Sequence, residues 1–152
     1  MMKASEIMVK DVVTLTMDEN TSAMDAARIM NREGIGCLIA VHHGEVVGIL
    51  TERDLLKRIV EECRDSKQTK VSEIMTKEVV VGSPDLQLVE ATRLMFENRI
   101  KKLPIVDKNG LVGLITLTDI ARATSVDDKT IRLIEALSNM HLAGESRYQI
   151  KI

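Results

Sequence analysis

Apolar and polar positions along this chain switch between a strand-like and a helical period, and the same switching occurs twice. In the first pass a β-branched run, Val12-Val13-Thr14, precedes Ala23, Met24, Ala27 and Met30, apolar residues at helical spacing. Two short apolar runs follow, Leu38 to Val41 and Val46 to Leu50. The turn residues His43-Gly44 between them predict a hairpin. Leu55, Leu56, Ile59, Val60 and Cys63 then predict a helix from about Thr51 to Cys63 with one apolar face. The second pass begins at Val79-Val80-Val81. Ser83 and Pro84 supply an N-cap and a first-turn proline, and Gly34 and Asn98 suit the ends of the two helices. Strands from Leu103 to Val106 and Leu111 to Ile115 flank Lys108-Asn109-Gly110, and a short helix follows Thr116. The predicted order in each pass is strand, helix, strand, strand, helix.

The recurrence is also one of residues. Ser5 to Val13 (SEIMVKDVV) matches Ser72 to Val80 (SEIMTKEVV) at an offset of 67. From Met17 the offset becomes 65 and holds without a gap to Asp54 and Asp119. Identities on that register include Ala26 with Ala91, Met30 with Met95, Gly48 with Gly113, Thr51 with Thr116, and Asp54 with Asp119. Each half is about 60 residues, too small to bury a comfortable core alone. The halves are therefore expected to pack on each other through their sheets with a pseudo-twofold relation, as an α/β (α+β) protein. The expected domains are 1–66, 67–125 and a C-terminal part, 126–152. The polar stretch Arg64 to Lys70 forms the linker, and Val126 to Leu142 forms an amphipathic helix striped by Ile131, Ile134 and Leu137.

Composition removes several function classes. A net charge of −2 provides no field for gathering nucleic acid, and with no Trp, one Tyr and one Phe there are no stacking platforms for single strands. No segment reaches the length of an apolar membrane span or a signal peptide, so a cytoplasmic protein with no membrane partner is expected. Cys37 and Cys63 have no metal-site spacing and read as reduced core residues; His42-His43 falls in a turn with no third ligand, so no metal is expected. No nucleophile has a visible base and no Walker-type loop is present, which argues against an enzyme.

The motif with chemistry in it is Gly48-Ile-Leu-Thr-Glu-Arg-Asp54, repeated as Gly113-Leu-Ile-Thr-Leu-Thr-Asp119. Each runs from a strand into a helix. Two accounts stay open. Thr and the Asp three residues on form a capping box. Alternatively, the hydroxyl and N–H groups meet an anion while the carboxylate accepts from a ribose cis-diol.

These duplicated motifs, together with SEIM near each start and Leu103-Pro-Ile-Val-Asp107, resemble a tandem cystathionine-β-synthase (CBS) pair, or Bateman module, over about Ala4 to Ala123. The resemblance implies two pseudo-symmetric clefts between the repeats. Each would hold AMP, ADP, ATP, S-adenosylmethionine or a similar adenosine ligand, bound as a regulatory signal rather than as a resident cofactor. One cleft would use Thr51, Arg53 and Asp54 with Thr76 and Ile100, Lys101 and Lys102. The other would use Thr116, Thr118 and Asp119 with Val9, Ile35 and Gly36. The lysines, standing where the first repeat has Gly36 and Cys37, would favour phosphate in the first cleft. In this sequence Ile39 and Ala40 replace the usual Pro and Val of the family, which alters one pocket wall. A homodimer is also implied, and a partner enzyme or transporter fits such a module. The alternative is a ligand-free scaffold for dimerisation or partner binding.

Overall fold

The computed structural model describes residues 1–18 and 20–124. The C-terminal helix expected over 126–142 and the tail after it lie outside the described residues. In chain order the elements are α1 (Ala4–Ile7), β1 (Thr14–Thr16), α2 (Ala23–Glu33), β2 (Cys37–His42), β3 (Glu45–Thr51), α3 (Glu52–Leu55) running into a π-helical turn (Leu56–Val60), α4 (Val71–Ile74), α5 (Leu88–Glu97), β4 (Lys102–Asp107), β5 (Gly110–Thr116) and α6 (Leu117–Ala123). This is the α+β mixture expected from the periodicity. One sheet has the order β1-β2-β3, with β1 parallel and β3 antiparallel to β2, and the other is the β4-β5 pair.

Two compact units form, and their boundaries cross the sequence repeats. Among the described residues, one consists of Asp11–Val79 with Lys108–Leu111, the other of Met1–Lys10, Val80–Asp107 and 112–124. Each unit thus takes the SEIM segment of the other repeat: α4 packs with the first repeat, and α1 with the second.

In the first unit, Leu15, Ala23, Ala26, Met30, Leu38, Leu50, Ile59, Val71 and Ile74 make the core. β2 lies between β1 and β3 and is buried from Cys37 to Ala40, which is why its sequence is an unbroken apolar run. α2 begins at Ser22, whose Oγ accepts from the Asp25 N–H at 3.1 Å while the Asp25 carboxylate accepts from the Ser22 N–H at 3.2 Å. Its buried stripe is Ala23, Ala26 and Met30, with Met24 and Ala27 half-buried beside it. His43 and Gly44, with φ of 51° and 81°, give the β2–β3 turn two left-handed residues, the hairpin geometry whose twist matches the strands.

In the second unit the core is Ala4, Ala91, Met95, Leu103, Ile105 and Ile115. Two sequence expectations are corrected here. The strand expected at Val79 to Val81 is reduced to a single parallel bridge, Gly82 to Ile105. The helix expected from Ser83 begins only at Leu88, with Gln87 as its N-cap. Pro84 instead opens a turn closed by the Leu86 N–H on the Ser83 carbonyl at 3.1 Å. The carbonyls of Pro84 and Leu86 accept from the N–H groups of Ser5 and Ala4. Gln87 is the residue that stands opposite Ser22 on the 65-residue register, so the duplication places this cap where local signals misplace it.

The expected helix from Thr51 to Cys63 also differs. Its single face separates into two stripes. Leu55 and Ile59 turn inward, while Leu56 and Val60 are 58% and 64% exposed. The apolar residues span too wide an arc for one helix to bury. Cys37 is buried as expected, but Cys63 is exposed, three residues beyond the π turn with φ of 52°.

α2 ends at Gly34 with φ of 65°, and the Ile35 N–H returns to the Met30 carbonyl. After α5 the Ile100 N–H returns to the Met95 carbonyl in the same way, but the left-handed position is taken by Arg99, with φ of 54°. Arg99→Gly is expected to raise stability by about 0.5–1 kcal/mol. That figure is the ~1–2 kcal/mol cost of a left-handed non-glycine residue less the ~0.4–1 kcal/mol of added unfolded-chain entropy. Denaturant unfolding measures it, and a loss of stability would show that contacts of the Arg99 side chain outweigh its strain.

Candidate functional site

The two G-h-h-T-x-x-D motifs build the same corner twice. Thr51 ends β3 and caps α3; Thr116 ends β5 and caps α6. The Thr51 hydroxyl accepts from the Asp54 N–H at 3.1 Å and donates to Asp54 Oδ2 at 3.0 Å, and the Thr51 N–H donates to the same oxygen at 2.9 Å. For Thr116 and Asp119 the matching distances are 3.2, 2.7 and 2.8 Å. In both corners the cap uses Oδ2 and does not call on Oδ1. The capping box is therefore real, and it leaves one carboxylate oxygen outside its own bonds. Capping and ligand binding are compatible roles for one carboxylate rather than competing ones.

The SEIM segments complete each corner. Glu6 and Glu73 reach back to the N–H groups of Lys3 and Lys70, at 2.5 and 2.8 Å, closing the single turns α1 and α4. The Arg64 guanidinium holds the Glu73 carboxylate at 2.8 Å. The Lys70 N–H, before the Arg64 charge, keeps that carboxyl below the usual range. The chain then bridges antiparallel to a strand. Thr76 exchanges both backbone bonds with Ile49 at 2.9 Å, and Val9 does the same with Leu114. Gly48 and Gly113 permit this approach, since a Cβ there would lie 2.4 Å from Met75 Sδ and 2.5 Å from Met8 Sδ. Glycine in the motif and methionine in SEIM are two sides of one contact.

Of the residues expected at the first site, Thr51, Arg53, Asp54 and Thr76 fall in one unit, whereas Ile100, Lys101 and Lys102 belong to the other. Of those expected at the second, Val9, Thr116, Thr118 and Asp119 share a unit, whereas Ile35 and Gly36 lie in the first. Within that first unit the Gly36 carbonyl accepts from the Glu52 N–H at 3.0 Å, directly beside the Thr51 cap. Lys101 and Lys102 are half-buried. Burial, and then the neighbouring Lys102 charge, holds the Lys101 ammonium below the usual lysine range.

Arg58 was not singled out by the sequence reading. It sits in the π turn, donates through Nη1 to the Ile74 carbonyl, and places Nη1 3.8 Å from Asp54 Oδ1. The available signal was its spacing of one helical turn from Asp54, combined with Ala123 at the matching position of the second repeat. His42 and His43 touch edge to face with centroids 4.1 Å apart, and no group of three or more metal-ligating side chains occurs among the described residues. Nor, among them, is any helix long and apolar enough to cross a membrane.

Two copies of one corner, each fed by a SEIM turn, invite comparison with known proteins. The CBS domain model matches residues 4–61 and again residues 71–126. The chain belongs to the CBS-domain family. It is 40% identical over 116 residues to the CBS domain-containing protein YhcV of Bacillus subtilis, covering 74% of this chain and 82% of that protein. It spans only 50% and 27% of two further curated relatives, which are longer proteins. Among solved structures, a putative signal-transduction protein with CBS domains from Burkholderia ambifaria matches with a TM-score of 0.73 and 33% identity, over 84% of this chain and 96% of that one. The CBS domain pair of protein MJ0100, solved with 5′-methylthioadenosine and S-adenosyl-L-methionine, matches with a TM-score of 0.68 and 31% identity, over 81% and 95%. This chain is thus a tandem CBS pair.

Proposed function

We propose that this CBS pair is a cytoplasmic regulatory module that binds adenosine-containing ligands, of the AMP, ADP, ATP or S-adenosylmethionine type, and catalyses no reaction itself. The observation that carries this reading is the duplicated corner. Each Thr–Asp pair is held rigid by three hydrogen bonds. Each is capped through Oδ2 alone, so Oδ1 can take a ribose hydroxyl without the cap being undone. A carboxylate fixed in this way accepts from a cis-diol with little reorganisation, which is where preorganised sites gain affinity. Thr76 and Val9 border the two corners, and Thr118 lies within the second. That the related MJ0100 pair was solved with two adenosine compounds supports the ligand class.

The test is mass spectrometry of small molecules released from freshly purified protein, followed by calorimetry with the released species. A near-stoichiometric adenosine compound is the expected result. Protein that carries none and binds none of the candidates would leave a scaffold that acts through partner contacts alone.

We also propose that the chain works as a homodimer. Each unit leaves apolar helical surface in solvent, with Leu56 and Val60 in one, Val89 and Phe96 in the other. Val89 and Phe96, seven residues apart on one face of α5, are 69% and 84% exposed, an apolar stripe of the kind that marks a contact surface. Light scattering is expected to give twice the 16.9 kDa chain mass. Phe96→Glu or Val60→Glu is expected to shift it towards a single chain, and a monomeric wild type with or without nucleotide would overturn the proposal.

A further inference from the structure

The two corners are built alike up to one helical turn beyond the aspartate, where they part. After Asp54 the chain leaves α-helical geometry for a π turn. The Glu61 N–H bonds to the Leu56 carbonyl and the Arg64 N–H to the Ile59 carbonyl, each at 2.9 Å. After Asp119, α6 continues as a regular helix to Ala123. π turns inside helices recur at functional sites. Arg58 lies in the middle of this one, and the matching residue on the 65-residue register is Ala123.

Arg58 is held in place. Nη1 donates to the Ile74 carbonyl at the end of α4 and faces Asp54 Oδ1 at 3.8 Å, and the side chain keeps 38% of its surface exposed. Both contacts fall on Nη1, so they do not engage Nε or Nη2. A guanidinium has five donors in a planar fork suited to phosphate oxygens. The corner therefore sets an acceptor for a diol beside a cation with donors for an oxyanion. The second corner has the acceptor and, at the position that matches Arg58, the methyl group of Ala123, with Arg122 one residue earlier where the first corner has Lys57.

From this difference we infer that Arg58 is a specificity-determining residue, which makes the Thr51–Asp54 corner select a 5′-phosphorylated nucleoside while the Thr116–Asp119 corner takes an uncharged adenosine compound. The inference rests on the adenosine reading above and adds the charge of the ligand at each corner. A nucleoside monophosphate offers both groups, hydroxyls for Asp54 and a dianion for Arg58. The guanidinium, placed beside Asp54, also offsets the repulsion between that carboxylate and the phosphate dianion, whereas at the Asp119 corner the position matching Arg58 is Ala123.

The experiment is calorimetry with AMP and with adenosine on the full chain carrying Asp119→Asn, which silences the second corner. AMP is expected to bind at least about 10-fold more tightly than adenosine, and adding Arg58→Ala is expected to remove that preference, weakening AMP about 10-fold or more and adenosine less than about 3-fold. Arg58→Ala also loses the bond to the Ile74 carbonyl. The reciprocal variant therefore gives an independent readout: Ala123→Arg, in a chain carrying Asp54→Asn, is expected to raise AMP affinity over adenosine at the second corner. Equal losses for AMP and adenosine in Arg58→Ala, or no loss, overturn this assignment and leave the adenosine reading standing. Failure of the wild type to bind either compound overturns both.

Discussion

Asp54→Ala and Asp119→Ala are each expected to weaken adenosine-ligand binding at their own corner by about 10- to 150-fold, the ~1.5–3 kcal/mol of a hydrogen bond to a charged acceptor. Each alanine also removes the acceptor for the Thr51 or Thr116 N–H and hydroxyl. A fall in stability of about 1 kcal/mol should accompany it. The two effects separate with asparagine. Asp54→Asn and Asp119→Asn retain a side-chain oxygen to accept from the backbone N–H, so most of the cap survives, while the charge presented to a diol is gone. The expected pattern is near-wild-type unfolding with weakened binding for asparagine, and losses of both for alanine. Wild-type affinity in all four variants, with stability lost only in the alanine pair, would show that the motif caps helices and does nothing else.

Gly110→Ala is expected to destabilise the protein by about 2–4 kcal/mol. Gly110 has φ of 110°, where an L side chain is strained, and its Cβ would stand 2.1 Å from the Gly44 carbonyl oxygen. That oxygen is fixed, because it accepts from the Leu111 N–H at 3.2 Å. Backbone cannot rotate aside as a side chain would, so the turn must move and this bond must break. Gly48→Ala makes a useful comparison. Its Cβ would also come within 2.4 Å of an atom, but that atom is the Sδ of Met75, on a flexible side chain. Denaturant unfolding of both should rank Gly110→Ala as the more damaging, and a smaller effect at Gly110 would show that the two turns are free to separate.

Much of this protein was legible in the chain itself. The hairpin strands were recognised to within a residue or two, because β-branched apolar runs flanked by Gly, His and Asn admit few other readings. The duplication carried the family and located the T-x-x-D corner, since the same spacing recurs at one register in both repeats. Local signals failed where long-range contacts decided. Ser83-Pro84 has the composition of a helix start, yet Ala4 and Ser5, some 80 residues earlier, bond to the carbonyls of Leu86 and Pro84, and the helix waits for Gln87. The run of apolar residues from Leu55 to Cys63 covers an arc that only packing could divide into an inward and an outward stripe. Tertiary structure alone settled which SEIM segment serves which corner. The repeat is a property of sequence order, but Met75 seats on Gly48 and Met8 on Gly113, so each folded unit borrows its SEIM turn from the other repeat. No periodicity encodes that exchange, because the residues on both sides of it are the same; it is decided by which strand the chain reaches after the polar linker. Arg58 was hidden for a related reason: an arginine one turn beyond an aspartate is ordinary on any helix, and its placement between Asp54 and the Ile74 carbonyl exists only once α4 has docked on β3.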